Sequence, residues 1–91
     1  MTTPDLPQSL DYLPEEKKAL LKRTIGARLR LLATAKTPEK KRFERLEQET
    51  GIPSATWRTW WRREGTPSGQ MIEAAARTWP ENAFWLVTGI A

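Results

Sequence analysis

The sequence predicts an all-α fold, a compact bundle of about five short helices built around a central pair joined by a tight turn. Three observations carry this. Apolar residues recur at helical spacing in successive stretches, and Pro, Gly and capping residues punctuate them. Two of these stretches meet at the glycine-led turn Gly51-Ile52-Pro53. The chain has 91 residues; a single domain of that size buries only about 60 to 65% of its unfolded surface, so short helices on one core are what it has room for. With 38% hydrophobic and 29% charged residues the chain has the composition of a folded globular domain.

Residues 1 to 13, MTTPDLPQSLDYL, hold two prolines and two acids with no sustained period, and read as an extended N-terminal arm. Leu6, Leu10, Tyr12 and Leu13 are its candidates for docking on the body, residues 14 to 91. The arm has no Lys or Arg, so it is not expected to enter a minor groove as basic arms do. Pro14, Glu15 and Glu16 suit the first turn of a helix that is expected to run to Ala33. Leu21, Ile25, Leu29 and Leu32 form its core stripe. Lys17, Lys18, Lys22, Arg23, Arg28 and Arg30 form a face read as solvated. Gly26 is its weak point, costing about 1 kcal/mol relative to Ala unless a neighbour packs closely there.

Residues 34 to 37 read as a polar linker, with Thr37 capping a second helix that ends at Thr50. That helix has only Phe43 and Leu46 as large anchors, and the pairs Lys40–Glu44 and Arg45–Glu49 at i, i+4. Gly51 fits the left-handed position that ends a helix, and Pro53 can start the next. A third helix spans residues 54 to 63, Glu64-Gly65-Thr66-Pro67 breaks it, and Ser68 caps a fourth over residues 69 to 79 with Met71, Ile72, Ala75, Ala76 and Trp79 inward. Pro80 begins a last short helix that includes Phe84, Trp85, Leu86 and Val87 and ends at Thr88-Gly89.

With no Cys and no His, the sequence holds no disulfide, no thiolate nucleophile and no imidazole base, and only carboxylates remain as metal ligands. No catalytic residue, cofactor or metal is expected, and no small-molecule substrate is indicated. No stretch is long and apolar enough for a membrane span, and the N-terminus lacks the pattern of a signal peptide, so a cytoplasmic protein is expected. Fifteen Lys and Arg against eleven Asp and Glu give +4, and the isoelectric point near 9.9 leans towards an anionic partner.

Placement of the cations sharpens that lean. At about 100° per residue, Trp57, Trp60 and Trp61 fall on one side of the third helix. Ser54, Ala55, Arg58, Thr59 and Arg62 fall on the other. A helix that reads the major groove needs such an exposed face of donors and small groups, with a buried face fixing its angle. Arg58 is suited to bidentate pairing with guanine, Ser54 and Thr59 to bases or phosphates, and Ala55 to a thymine methyl; Arg62 and Arg63 suit phosphates. The competing reading is an ordinary amphipathic helix with solvated arginines. Trp57 and Trp60 read as core, whereas Trp61 is a candidate for partial exposure and for stacking on single-stranded bases, though one aromatic makes no platform.

FERLEQETGIPSATWRTWWRR, residues 43 to 63, resembles the helix-turn-helix of phage-repressor-like proteins, the lambda repressor and Cro class also called the XRE family. With Phe43 first in the twenty-residue pattern, Leu46, Gly51, Ile52, Trp57 and Trp60 occupy its required positions. Glu47 stands where the pattern has a small residue and Thr50 where it has an apolar one, and Pro53 is unusual at the turn. The closing phrases GTPSGQMIEAAARTWP and ENAFWLVTGI are similar to the last helices of phage-type regulators, which extends the resemblance over residues 25 to 90. It implies a lambda-repressor-like bundle, duplex DNA as partner, and a homodimer on two half-sites about one helical turn apart. The apolar ending, Phe84 to Ile90, is the candidate for dimer contacts or, equally, packs on the domain's own core. On this resemblance the chain is either a minimal regulator or the N-terminal part of a longer one.

The expected function is therefore sequence-specific binding of double-stranded DNA by a phage or bacterial transcriptional regulator, through Ser54, Ala55, Arg58, Thr59, Arg62 and Arg63. The alternative is a protein-binding helical module, antitoxin-like or a phage accessory protein, using the Trp-rich and C-terminal apolar surface. If Trp60, Trp61 and Trp85 form one exposed patch while the arginines scatter, this second reading is the one favoured.

Overall fold

The computed structural model describes residues 24 to 90. The expected arm, the helix start at Pro14, Leu21, and the cations Lys17, Lys18, Lys22 and Arg23 lie outside the described residues. Five α-helices follow in order: α1 (Ile25–Lys36), α2 (Arg42–Thr50), α3 (Ser54–Arg63), α4 (Gly69–Thr78) and α5 (Ala83–Thr88), with a 3-10 turn at Pro80–Asn82 leading into the last. The described residues form an all-α bundle with no strand. In it α2 packs on α3 and α4, α1 on α5, and α4 on α5.

The first helix differs from expectation at both ends. Thr24 is extended and its hydroxyl accepts the Ala27 N–H (3.1 Å), so it caps a helix beginning at Ile25, and the chain does not pass through Thr24 as one helix over residues 14 to 33. Its far end runs to Lys36 and absorbs the expected linker, because Thr34 and Thr37 donate their hydroxyls to the Arg30 and Ala33 carbonyls (2.7 and 2.6 Å) and need no break. Thr37 is thus the C-cap of α1 instead of the N-cap of α2. The second helix starts at Arg42 after Lys41 in the left-handed region (φ 57°). Lys40, left outside the helix, makes no i, i+4 pair with Glu44, while Arg45 pairs with Glu49 at 2.8 Å as expected. Trp79 closes α4 one residue early, and Pro80 opens a 3-10 turn before α5.

Arg28 is the clearest correction. Far from facing solvent, it is buried; its Nε donates to the Leu86 carbonyl (2.8 Å) and one Nη to the Val87 carbonyl (3.2 Å). It closes the carboxyl end of α5, whose last carbonyls have no helical partner. Burial lowers the pKa of this guanidinium from its ordinary value. Gly89 follows in the left-handed region (φ 77°), with the guanidinium only 3.1 Å from where a Cβ would stand.

Leu29, Leu32, Leu46, Trp57, Ala75 and Leu86 are inaccessible to solvent, and Met71, Trp79 and Trp85 close the core around them. Trp85 and Leu86 face inward while Phe84, Val87 and Ile90 stay exposed, so the apolar ending splits into a packed half and an unpartnered half. Gly26 is explained by a close approach, made by a loop and not a helix: a Cβ there would lie 2.8 Å from the Gly65 carbonyl oxygen. Gly26→Ala is accordingly expected to destabilise the fold by roughly 1 to 2 kcal/mol, the overpacking cost outweighing the gain of about 1 kcal/mol in helix propensity. Urea unfolding of the variant checks this, and a rise in midpoint would contradict the contact.

Candidate nucleic-acid interface

Gly51 takes φ 81° and its N–H bonds the Glu47 carbonyl (2.9 Å), ending α2; Pro53 then opens α3, its carbonyl accepting from Thr56 and Trp57 N–H. The two residues that depart from the helix-turn-helix pattern hold this joint together. Glu47 points outward and its Oε1 accepts the Ser54 N–H at 2.6 Å, satisfying one of the orphan donors at the start of α3 from the preceding helix. A small residue at that place has no atom to make this bond. Thr50 donates to the Leu46 carbonyl (2.6 Å) and accepts from Ile52 N–H and Trp57 Nε1, both at 3.2 Å. An apolar residue there leaves the indole N–H of the central tryptophan without that acceptor.

The buried face of α3 carries Trp57 and Trp60, which meet edge to face with ring centres 5.9 Å apart. Trp60 Nε1 reaches the Gly65 carbonyl (2.8 Å), securing the loop beyond the helix. Trp61 is half-buried: Arg30 lies over its ring at 4.4 Å and donates to its carbonyl (2.9 Å), and Phe43 meets it edge to face at 5.5 Å. That cover leaves Trp61 poorly placed to stack on bases. Glu64, left-handed at φ 54°, ends the helix with its N–H on the Trp60 carbonyl.

Ala55, Arg58, Thr59, Arg62 and Arg63 are exposed, and Ser54 is half-buried at the first turn. All six residues thus come together on the outer side of one short, well-anchored helix. Arg58 leans towards α2, its guanidinium 5.5 Å from the Phe43 ring centre. None of Arg58, Arg62 and Arg63 has a carboxylate partner among the described residues. Arg30, Lys36, Arg45 and Arg77 instead pair with Glu64, Glu81, Glu49 and Glu73. Among the described residues, then, the outer side of α3 carries three arginines and no ion pair to them.

Beside this face, between α3 and the loop of residues 65 to 68, lies an open groove of about 550 Å³. Ala55, Thr59 and Arg63 border it on the helix side together with Thr56, which angular sorting did not single out. Its place about 60° beyond Thr59 on the helical wheel is legible; the loop that turns that flank into a groove wall is not. Glu47 and Thr50 were visible in the sequence only as departures, since an interhelical hydrogen bond depends on the angle between the helices.

Comparison of the chain with family models, with curated proteins and with solved structures finds no match. Among the described residues no helix is long and apolar enough to cross a membrane.

Proposed function

We propose that this chain is a sequence-specific double-stranded DNA-binding transcriptional regulator of the phage-repressor-like helix-turn-helix class, reading the major groove with α3. The observation that carries this reading is the sorting of α3. One side holds buried tryptophans, and the other holds three exposed arginines that have no carboxylate partner among the described residues, on a helix fixed at both ends. Arg58 is assigned to base readout, Arg62 and Arg63 to phosphates, and Ser54, Ala55 and Thr59 to the groove floor or backbone. Exposed Phe84, Val87 and Ile90 are assigned to a second copy, so that two weak half-site readings add. A cytoplasmic location without catalytic step or cofactor completes the reading.

The observation that would favour the protein-binding alternative is a shared exposed patch of Trp60, Trp61 and Trp85. Trp60 and Trp85 are buried, which favours the DNA reading. Selection of bound duplexes from a random pool, with the oligomeric state measured alongside, is expected to yield a two-fold symmetric consensus. Equal affinity for random and selected duplexes would sink it. With that consensus in hand, Arg58→Ala is expected to cost roughly 1 to 3 kcal/mol of discrimination at one position in each half-site. Arg62→Ala is expected to weaken all duplexes alike and to flatten the salt dependence by about one unit.

A further inference from the structure

Nine threonines lie among the described residues, and they divide unevenly. Thr34, Thr37, Thr50, Thr78 and Thr88 each donate to the carbonyl four residues back, and Thr24 caps α1. The remaining three, Thr56, Thr59 and Thr66, have hydroxyls with no partner, and all three line the groove beside α3. Thr56, in the first turn, gives its N–H and not its hydroxyl to the Pro53 carbonyl. Thr59 has that of Ala55 and does not take it, although back-bonding is the ordinary fate of a mid-helix threonine. Ser68, at the end of the groove, accepts the Met71 N–H (3.2 Å) and keeps its own hydrogen to donate.

The charge of the groove points the same way. Among the described residues Arg63 is its only ionisable lining residue, it has no ion-pair partner, and no carboxylate lines the groove. Trp60 and Met71 supply an apolar floor. Ala55, Thr59 and Arg63 belong to both the groove and the candidate reading face, so a duplex lying on α3 would bring its sugar-phosphate strand to this groove.

Resting on the DNA-binding reading, we infer that the groove between α3 and residues 65 to 68 seats one sugar-phosphate strand of the bound duplex chiefly through neutral hydroxyl donors, Thr56, Thr59 and Thr66, with Arg63 as its single cation. The consequence is a backbone contact that is largely insensitive to salt. Hydroxyl donors displace water from phosphate oxygens without releasing the counterions that make cationic contacts salt-dependent.

The test uses Thr56→Val with Thr66→Val, which keep the branched shape and remove two hydroxyls that take no part in base readout. Each hydroxyl is expected to be worth roughly 3- to 10-fold in affinity, so the double variant should lose about 10- to 100-fold towards selected and random duplexes alike, at an unchanged salt slope. Arg63→Gln should lower that slope by about one unit. Thermal melting establishes that the variants fold. In the unaltered chain, addition of the selected duplex should move the NMR signals of Thr56 and Thr66 together with those of Thr59. If the unaltered chain selects a duplex but the double variant binds it equally tightly, or loses affinity with a changed slope, the groove inference is overturned and the DNA reading stands. If the unaltered chain selects no duplex, the DNA reading itself fails and this inference with it. A protein seated in the groove would show as Thr56 and Thr66 signals unmoved by duplex.

Discussion

Trp57→Ala is expected to remove a large part of the stability of the fold. The side chain is fully buried at the centre of the core, touches Trp60 edge to face, and spends its indole N–H on Thr50. Truncating a buried aromatic to Ala costs roughly 3 to 5 kcal/mol, against a total of about 5 to 15 kcal/mol for an ordinary domain. Helix α3 has no other large side chain with both its area inside the core and a hydrogen bond to α2. Trp57→Phe separates the contributions: it keeps most of the packing, leaves Thr50 Oγ1 without the indole donor, and is expected to cost about 1 to 2 kcal/mol. Urea unfolding followed by circular dichroism checks both, and a Trp57→Ala chain within 1 kcal/mol of the parent, roughly the effect of an ordinary surface change, would show that Trp57 is not the anchor of α3.

The second large effect is expected at Arg28. Arg28→Met keeps an unbranched apolar stem in the buried site and removes the guanidinium. The Leu86 and Val87 carbonyls then lose their donors, and Gly89 loses the group it packs against. Hydrogen bonds from a charged donor are worth about 1.5 to 3 kcal/mol each, partly offset by not having to bury the charge, so a net loss of about 2 to 4 kcal/mol is expected. It should be local. Amide hydrogen exchange is expected to quicken in α5 before it does in α2 and α3, because the Arg28 guanidinium ties the carboxyl end of α5 to α1. Uniform quickening throughout the chain would mean that α5 has no separate opening and that Arg28 supports the whole core.

Among the described residues, the number of helices, the turn at Gly51 and the bounds of α3 follow from the sequence, because each rests on local chemistry. Gly51 and Gly89 occupy left-handed positions that other residues adopt at a cost, Ser68 supplies a cap oxygen, and apolar spacing orients α3 with Trp57 and Trp60 inward. The candidate site residues were legible for the same reason, since their shared face is a property of one helix. What only the tertiary structure decided involves partners distant in sequence. Arg28, by its spacing a surface cation, is buried because the carbonyls it serves lie 58 and 59 residues away. Glu47 and Thr50 break a local pattern and then restore it as bonds across the turn. The groove beside α3 is walled by the loop that comes close to α1 at Gly26, and this loop sets Thr66 on the same groove as Thr56 and Thr59. Periodicity reports which side of a helix is apolar; which atoms meet across the core depends on how the helices are set against one another, and no local spacing encodes that.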